Sequence, residues 1–144
     1  MENTKINKSM EKIFKEEYNN GQGVRELSAL ALAYIGDAVF EMLVRTRVLS
    51  WGNAPVNVLH KKARAIVNAK AQSKMYFRIE EYLNDDEKAV FRRGRNAKSH
   101  TIPKNADVID YKHATGLEAV FGHLYLSGKM DRAIELFDKG MERK

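Results

Sequence analysis

An all-α domain of six or seven helices is the fold class that the sequence predicts, and three observations carry it. Apolar residues recur at helical spacing along most of the chain. Runs of β-branched residues alternating with period two are missing. The two prolines, Pro55 and Pro103, stand where elements change. The chain has 144 residues, 44% of them apolar. That suits one domain with a single core, expected over about 24–128, and does not suit a disordered tail. No internal repeat and no low-complexity linker interrupts it.

Met10, Ile13, Phe14 and Tyr18 form a first amphipathic stripe, ended by Asn19-Asn20-Gly21-Gln22-Gly23. Val24 to Leu49 reads as a long central helix, broken at Trp51-Gly52-Asn53. Pro55 fits the first turn of the next helix, where a missing N–H is harmless. That helix carries Val58, Leu59, Ala63, Ile66 and Val67, and it either continues or kinks towards Tyr76 and Phe77. Asn84 is a good N-cap, with Asp85, Asp86 and Glu87 in the first turn, where the helix dipole favours anions. The helix runs through Val90 and Phe91 into a basic segment, and Gly94 and the stretch Lys98 to Asn105 are expected as exposed loop. Asn105 or Asp107 starts the next helix, which reaches Leu126 and is closed by Ser127-Gly128. Asp131 to Lys139 forms the last helix, with Ala133, Ile134, Leu136 and Phe137 inward.

Several function classes are disfavoured. Without cysteine there are neither disulfides nor thiolate metal sites, which fits a reducing, cytoplasmic setting. The N-terminal MENTKINKSMEKIF lacks the apolar core of a signal peptide. Leu27 to Leu49 is long enough to span a bilayer, but Asp37, Glu41, Arg45 and Arg47 punctuate it, so it reads as a core helix. His60, His100, His113 and His123 show no zinc-ligand spacing, and no glycine-rich phosphate loop follows a strand. His113 and His123 read as structural residues with partners, whereas His100 lies in the basic loop.

Charge is more informative. Lys plus Arg is 25 and Asp plus Glu 19, for a net charge of +6, and the excess falls in two acid-free segments. His60 to Arg78 holds Lys61, Lys62, Arg64, Lys70, Lys74 and Arg78. Phe91 to Asn105 holds Arg92, Arg93, Arg95, Lys98 and Lys104. A single charge run is usually a solvated face. Two in so small a chain favour a polyanion partner, nucleic acid first.

Within the most apolar run, YIGDAVFE (residues 34–41) places Gly36 and Asp37 where a buried helix is expected. A charge there is costly unless something pairs with it or uses it. Ala33, Asp37 and Glu41 share one helical stripe. The ordinary explanation is a buried Asp paired with an arginine, Arg45 or another. A second acid, Glu118, interrupts the apolar helix TGLEAVFGHLYL (residues 115–126), with Gly122 one turn on. If the two helices cross at their glycines, Asp37 and Glu118 meet. Two adjacent carboxylates repel unless a cation sits between them, and an all-oxygen site suits Mg²⁺ or Mn²⁺. Beside a basic surface, that combination points to metal-assisted phosphodiester hydrolysis.

These residues resemble a known family. YIGDAVFE resembles the ribonuclease III signature, TGLEAVFGHLYL that family's second metal motif, and FRRGRNAKSHTIPKNAD the basic loop of its short bacterial subfamily, Mini-ribonuclease III. The resemblance runs from roughly Glu26 to Gly128. It implies an all-α, homodimeric, Mg²⁺-dependent endoribonuclease acting on double-stranded RNA, with a role in maturing large-subunit (23S) ribosomal RNA and products ending in 5′-phosphate and 3′-hydroxyl. It places Asp37 and Glu118 as metal ligands and catalytic residues. The chain departs from the larger family at Leu30, Ala33 and Thr115, where further acids stand; the short subfamily shares that thinning. Glu41 is not a family ligand position and reads as a supporting or dimer residue. Without a separate RNA-binding domain in this sequence, Arg92, Arg93, Arg95, Lys98 and Lys104 are the expected RNA contacts, with Lys61, Lys62 and Arg64 as weaker candidates. The rival readings are a catalytically silent RNA-binding protein of the same fold and a helix-turn-helix DNA-binding domain. Basic residues gathered around a loop, not along one helix, disfavour the second rival.

Overall fold

The computed structural model describes residues 10, 12, 13, 23–98, 102–105 and 107–141. Among them lie six bounded α-helices, two short 3₁₀ turns and no strand, besides the helical residues Met10, Lys12 and Ile13. The helices are α1 (Ala29–Ser50), α2 (Val56–Arg64), α3 (Ala69–Ile79), α4 (Asp85–Asn96), α5 (Val108–Leu126) and α6 (Met130–Met141). The 3₁₀ turns are Val24–Glu26 and Glu80–Tyr82.

Local signals set most of these boundaries. Asn84 caps α4 in a complete capping box: its side chain accepts from the Glu87 N–H, and the Glu87 carboxylate accepts from the Asn84 N–H. Asp107 caps α5 by accepting from the N–H groups of Ile109 and Asp110. Gly128 closes it with φ +73°, a left-handed position that suits glycine.

Four expectations are corrected. The central helix does not begin at Val24: Leu27 is extended, and the Ser28 hydroxyl accepts from the Ala31 N–H, so α1 starts afresh at Ala29. Pro55 is the N-cap of α2 and lies outside its first turn. The segment towards Tyr76 neither continues nor kinks but stops, because Asn68 caps a separate helix, α3, through the Ala71 N–H. Gly94 is buried inside α4 instead of lying in an exposed loop; a Cβ there would come 2.8 Å from the Gly116 Cα of α5. Of the first expected stripe, Met10 and Ile13 are helical and exposed, while Phe14 and Tyr18 lie outside the described residues.

The core is built around α1 and α5, which pack along each other. Helices α3 and α4 lie against α5, and α6 against α3 and α5. Phe40 of α1 sits 5.5 Å from Phe121 of α5 and 5.9 Å from Phe137 of α6, ring centre to ring centre, and all three are fully buried. Ala133, Leu136 and Phe137 face inward as expected, and Ile134 is half-buried.

One buried charge was not anticipated. Glu87, only 2% exposed, receives Nε and Nη2 of Arg132 from α6, each at 2.9 Å. Arg132 also donates to the Tyr82 carbonyl at 2.6 Å and pairs with Glu135. Burial by itself would raise the Glu87 carboxyl. The Arg132 hydrogen bonds, the Asn84 N–H and the nearby Lys129 outweigh burial and hold it below the usual range.

Candidate active site

Two helices carry the acids, and glycine sets how closely those helices approach. A Cβ on Gly36 would stand 1.6 Å from the Glu118 carbonyl oxygen, and one on Gly122 would stand 2.0 Å from the Leu32 carbonyl oxygen. The α1 and α5 backbones therefore touch at this crossing, which only hydrogen side chains allow. Asp37 follows Gly36 directly, and Glu118 precedes Gly122 by one turn. The two carboxyls consequently meet and are hydrogen-bonded to each other.

Their settings differ. Glu118 is half-buried, whereas Asp37 is exposed to solvent. The expectation of a buried Asp37 is thus corrected: it lies at the mouth of the crossing, not under it. Arg45 is not its partner either, because the Arg45 guanidinium pairs with Glu41 one turn along α1, Nε to Oε2 at 3.0 Å. Burial first, then the Asp37 charge and the Asp37 hydrogen bond, push the Glu118 carboxyl up to about 8. A hydrogen bond from Gln72 of α3, Nε2 to Oε2 at 3.3 Å, works the other way.

With only protein groups around it, burial and the neighbouring Asp37 charge therefore favour a proton on Glu118. That is the condition a hard divalent cation relieves, since it can replace the proton as the positive charge between two oxygen donors. The pair fits such an ion in charge and in donor chemistry. Among the described residues, no group of three His, Cys, Asp or Glu side chains comes together that could hold a metal. The positions where the larger family's acids are expected bear this out: Leu30 is exposed, Ala33 is packed into the core, and the Thr115 hydroxyl donates to the Tyr111 carbonyl at 3.0 Å.

Other side chains fall where their chemistry is easy to read. The His113 Nδ1 lies 2.8 Å from the Ser73 hydroxyl, and its ring packs edge-on against Phe77 at 5.1 Å, a structural role as expected. His123 is buried beside Gly122, His60 is exposed, and His100 lies outside the described residues. On α4, Arg92 is exposed and Arg95 half-exposed; together they line one cavity of about 240 Å³ with Tyr76, Glu80, Leu83, Lys88 and Phe91. Arg93 points elsewhere, and its Nη2 donates to the Leu27 carbonyl at 2.7 Å, tying α4 to the start of α1. Lys98 and Lys104 flank the loop and are exposed, as are Lys61, Lys62 and Arg64 on α2.

Gln72 is the site residue that the motifs did not reveal. A signal was present. Met75, Tyr76 and Ile79 are the buried stripe of α3, and extending that stripe back one turn lands on Gln72, itself only 4% exposed. A polar amide on a core stripe needs a partner, and here the partner is Glu118.

An all-α domain in which the two longest helices among the described residues cross at glycines and present a carboxylate pair defines a class. The sequence profile of the Ribonuclease III domain matches residues 30–129, and the chain belongs to that family. More particularly, it is similar to Mini-ribonuclease 3 proteins. That of Thermoanaerobacter sp. is 45% identical over 121 residues, 84% of this chain and 85% of that protein. That of Clostridium tetani is 46% identical over 128 residues, 88% of this chain and 85% of that protein. A crystal structure of a protein from Fusobacterium nucleatum, 36% identical, superposes with a TM-score of 0.73 and covers 79% of this chain and 93% of that one.

Proposed function

We propose that this ribonuclease III family member is an endoribonuclease that cleaves double-stranded RNA with Mg²⁺, Mn²⁺ being able to substitute, and that Asp37 and Glu118 hold the ion. The observation that carries the reading is the carboxyl pair at the glycine crossing, where burial and the Asp37 charge push the Glu118 carboxyl up. When bound, the ion supplies an activated water and charge neutralisation at the scissile phosphate. Asp37, at the open mouth, offers a ligand oxygen on the RNA side. Glu118, set deeper and held by Gln72, offers the second. With two acids assembled and no third in reach among the described residues, the remaining ligand positions fall to water and phosphate oxygens, which is ordinary for Mg²⁺.

The relatives' name, Mini-ribonuclease 3, supports ribonuclease action. We read the substrate as a duplex stem of 23S ribosomal RNA precursor, cut to 5′-phosphate and 3′-hydroxyl ends in the cytoplasm. We assign the phosphate contacts to Arg92, Arg95, Lys98 and Lys104, which are exposed or partly exposed, with Lys61, Lys62 and Arg64 as a second patch. Arg93 supports the surface through its bond to Leu27 and carries less of the RNA contact. The homodimer is supported by the outer face of α1, where Leu30 (41%), Tyr34 (82%) and Met42 (53%) expose apolar area that a second copy would cover. Two sites related by a two-fold axis then cut both strands of a nearly two-fold duplex.

The experiment is cleavage of a long RNA duplex and of a 23S precursor stem, with Mg²⁺ or chelator, by wild type, Asp37→Asn and Glu118→Gln. Cleavage lost with either substitution while RNA binding and folding persist is the expected result. Binding without cleavage by the wild type on both substrates would overturn the enzyme reading in favour of a silent RNA-binding protein.

A further inference from the structure

We propose that Gln72 is a positioning residue for the Glu118 carboxylate, holding one of its oxygens through an amide N–H so that the carboxylate meets the ion in a single orientation; the inference rests on the metal-site reading above. Gln72 belongs to α3, a helix that contributes neither acid, and it is nearly sealed from solvent at 4% exposure. Its neighbours on the same face, Ser73, Met75, Tyr76 and Ile79, are all buried, so its rotamer is confined by packing. From there its Nε2 donates to Oε2 of Glu118 at 3.3 Å.

A buried amide among apolar side chains is retained at a loss of stability unless its hydrogen bonds are made. The Glu118 bond is the use to which this one is put. The chemistry also favours an amide over the alternatives. A third carboxylate would add repulsion to the pair, and a lysine would bring a positive charge that competes with the ion. A neutral N–H donor orients the anion without doing either. Outer groups that hydrogen-bond a metal ligand in this way typically set affinity or activity by a factor of about 10–100. Here Gln72 would partly replace the order that additional acids would otherwise impose, since Leu30, Ala33 and Thr115 carry no carboxylate.

The test uses Gln72→Met, close in shape and lacking the donor, with Gln72→Leu as a second variant should the first fail to fold, and Glu118→Gln in parallel. Mn²⁺ affinity is measured by calorimetry and electron paramagnetic resonance on the RNA-free protein. Thermal melts are recorded alongside, and kcat and KM on duplex RNA are determined at saturating and limiting Mg²⁺. A folded Gln72→Met with Mn²⁺ affinity reduced about 10-fold or more, kcat reduced at limiting Mg²⁺ and KM for RNA unchanged is the expected result. A folded variant that binds Mn²⁺ like the wild type, while Glu118→Gln does not, overturns the Gln72 assignment and leaves the metal site standing. A wild type that binds no Mn²⁺, or a Glu118→Gln that binds it unchanged, overturns both.

Discussion

Replacing Gly36 with alanine tests the crossing on which the site depends. The added Cβ would stand 1.6 Å from the Glu118 carbonyl oxygen and 2.9 Å from the Gly122 nitrogen. Ordinary heavy-atom contact lies at roughly 3.5 Å, so α1 and α5 must separate by about 2 Å at this point. No flexible side chain can yield, because both obstructing atoms are backbone. Alanine favours a helix interior over glycine by about 1 kcal/mol. Overpacking a rigid contact costs about 1–3 kcal/mol or more, and a backbone clash belongs at or above the top of that range. The net expectation is a loss of at least about 2 kcal/mol, or a fall in Tm of roughly 4–8 °C for a chain of this length. The same separation draws Asp37 away from Glu118, so Mn²⁺ affinity should fall with stability.

Gly23→Ala is the matched control. Gly23 has φ −86°, and a Cβ added there would meet nothing within 4 Å, so its substitution should be neutral or stabilising by a few tenths of a kcal/mol. Urea titration and thermal melts of wild type, Gly36→Ala, Gly122→Ala and the double variant decide the matter. Because the two glycines face one contact, the double variant should lose less than the two single losses added together. A Gly36→Ala protein as stable as Gly23→Ala, with unchanged Mn²⁺ affinity, would refute the claim that backbone contact places the acids.

Three further outcomes follow from the charges. Glu118 titrates at about 8 in the metal-free fold and in the ordinary carboxylate range when unfolded. Between those values the native state holds a proton that the unfolded chain has lost, so metal-free stability should fall as pH rises from about 5 to about 8. Glu118→Gln should flatten that slope in denaturation curves, and added Mg²⁺ should stabilise the wild type more at pH 8 than at pH 6. Arg132→Met leaves the Glu87 carboxylate buried without its guanidinium, and a loss of about 3–5 kcal/mol in urea unfolding is expected. Because Glu87 titrates below its usual range, the pair's contribution is present at neutral pH and disappears as pH drops through the acid range; Arg132→Met should therefore be less sensitive to acid than the wild type. Arg92→Ala with Arg95→Ala should weaken duplex RNA binding and reduce its dependence on salt by roughly two phosphate contacts, measured by filter binding at several salt concentrations, while leaving the melt unchanged.

The fold was legible where local chemistry and packing agree. Asn84 and Asp107 announce helix starts because their short side chains satisfy free N–H groups, and the structure uses both in that way. Legibility failed where a cap sits inside an apolar run. Ser28 looks like one more residue of the central helix, yet it ends the 3₁₀ turn and begins α1, since the stripe of Val24 and Leu27 continues across the break. Asn68 divides α2 from α3 for the same reason. Gly94 misled in the opposite direction: next to a basic loop it reads as a breaker, but it is a contact residue whose missing side chain admits Gly116 of α5. Glu87 read as a dipole residue and proved to be also half of a buried ion pair, because its partner Arg132 lies 45 positions away and no local pattern links them.

The meeting of Asp37 and Glu118 was legible for a more general reason. Each acid stands beside a glycine in an apolar helix, and glycine there destabilises the helix unless another backbone occupies the space. Two such glycines in one small domain are most simply explained by each other, and the structure brings them to a common contact. Once the backbones touch, the neighbouring acids have little freedom to stay apart, so their repulsion is imposed by the fold. A chain that gives up stability at this crossing, with a glycine on each helix and two neighbouring carboxyls, gains little from the arrangement as a protein alone. On the proposed reading, a cation entering between the two carboxyls would relieve that repulsion, at the point where Asp37 opens towards solvent. Gln72 fits the same logic from the third helix: it offers no charge, only a fixed hydrogen bond to the deeper acid. Packing, electrostatics and the lack of a third acid in reach among the described residues therefore all bear on the proposal that this pair is completed by a bound ion.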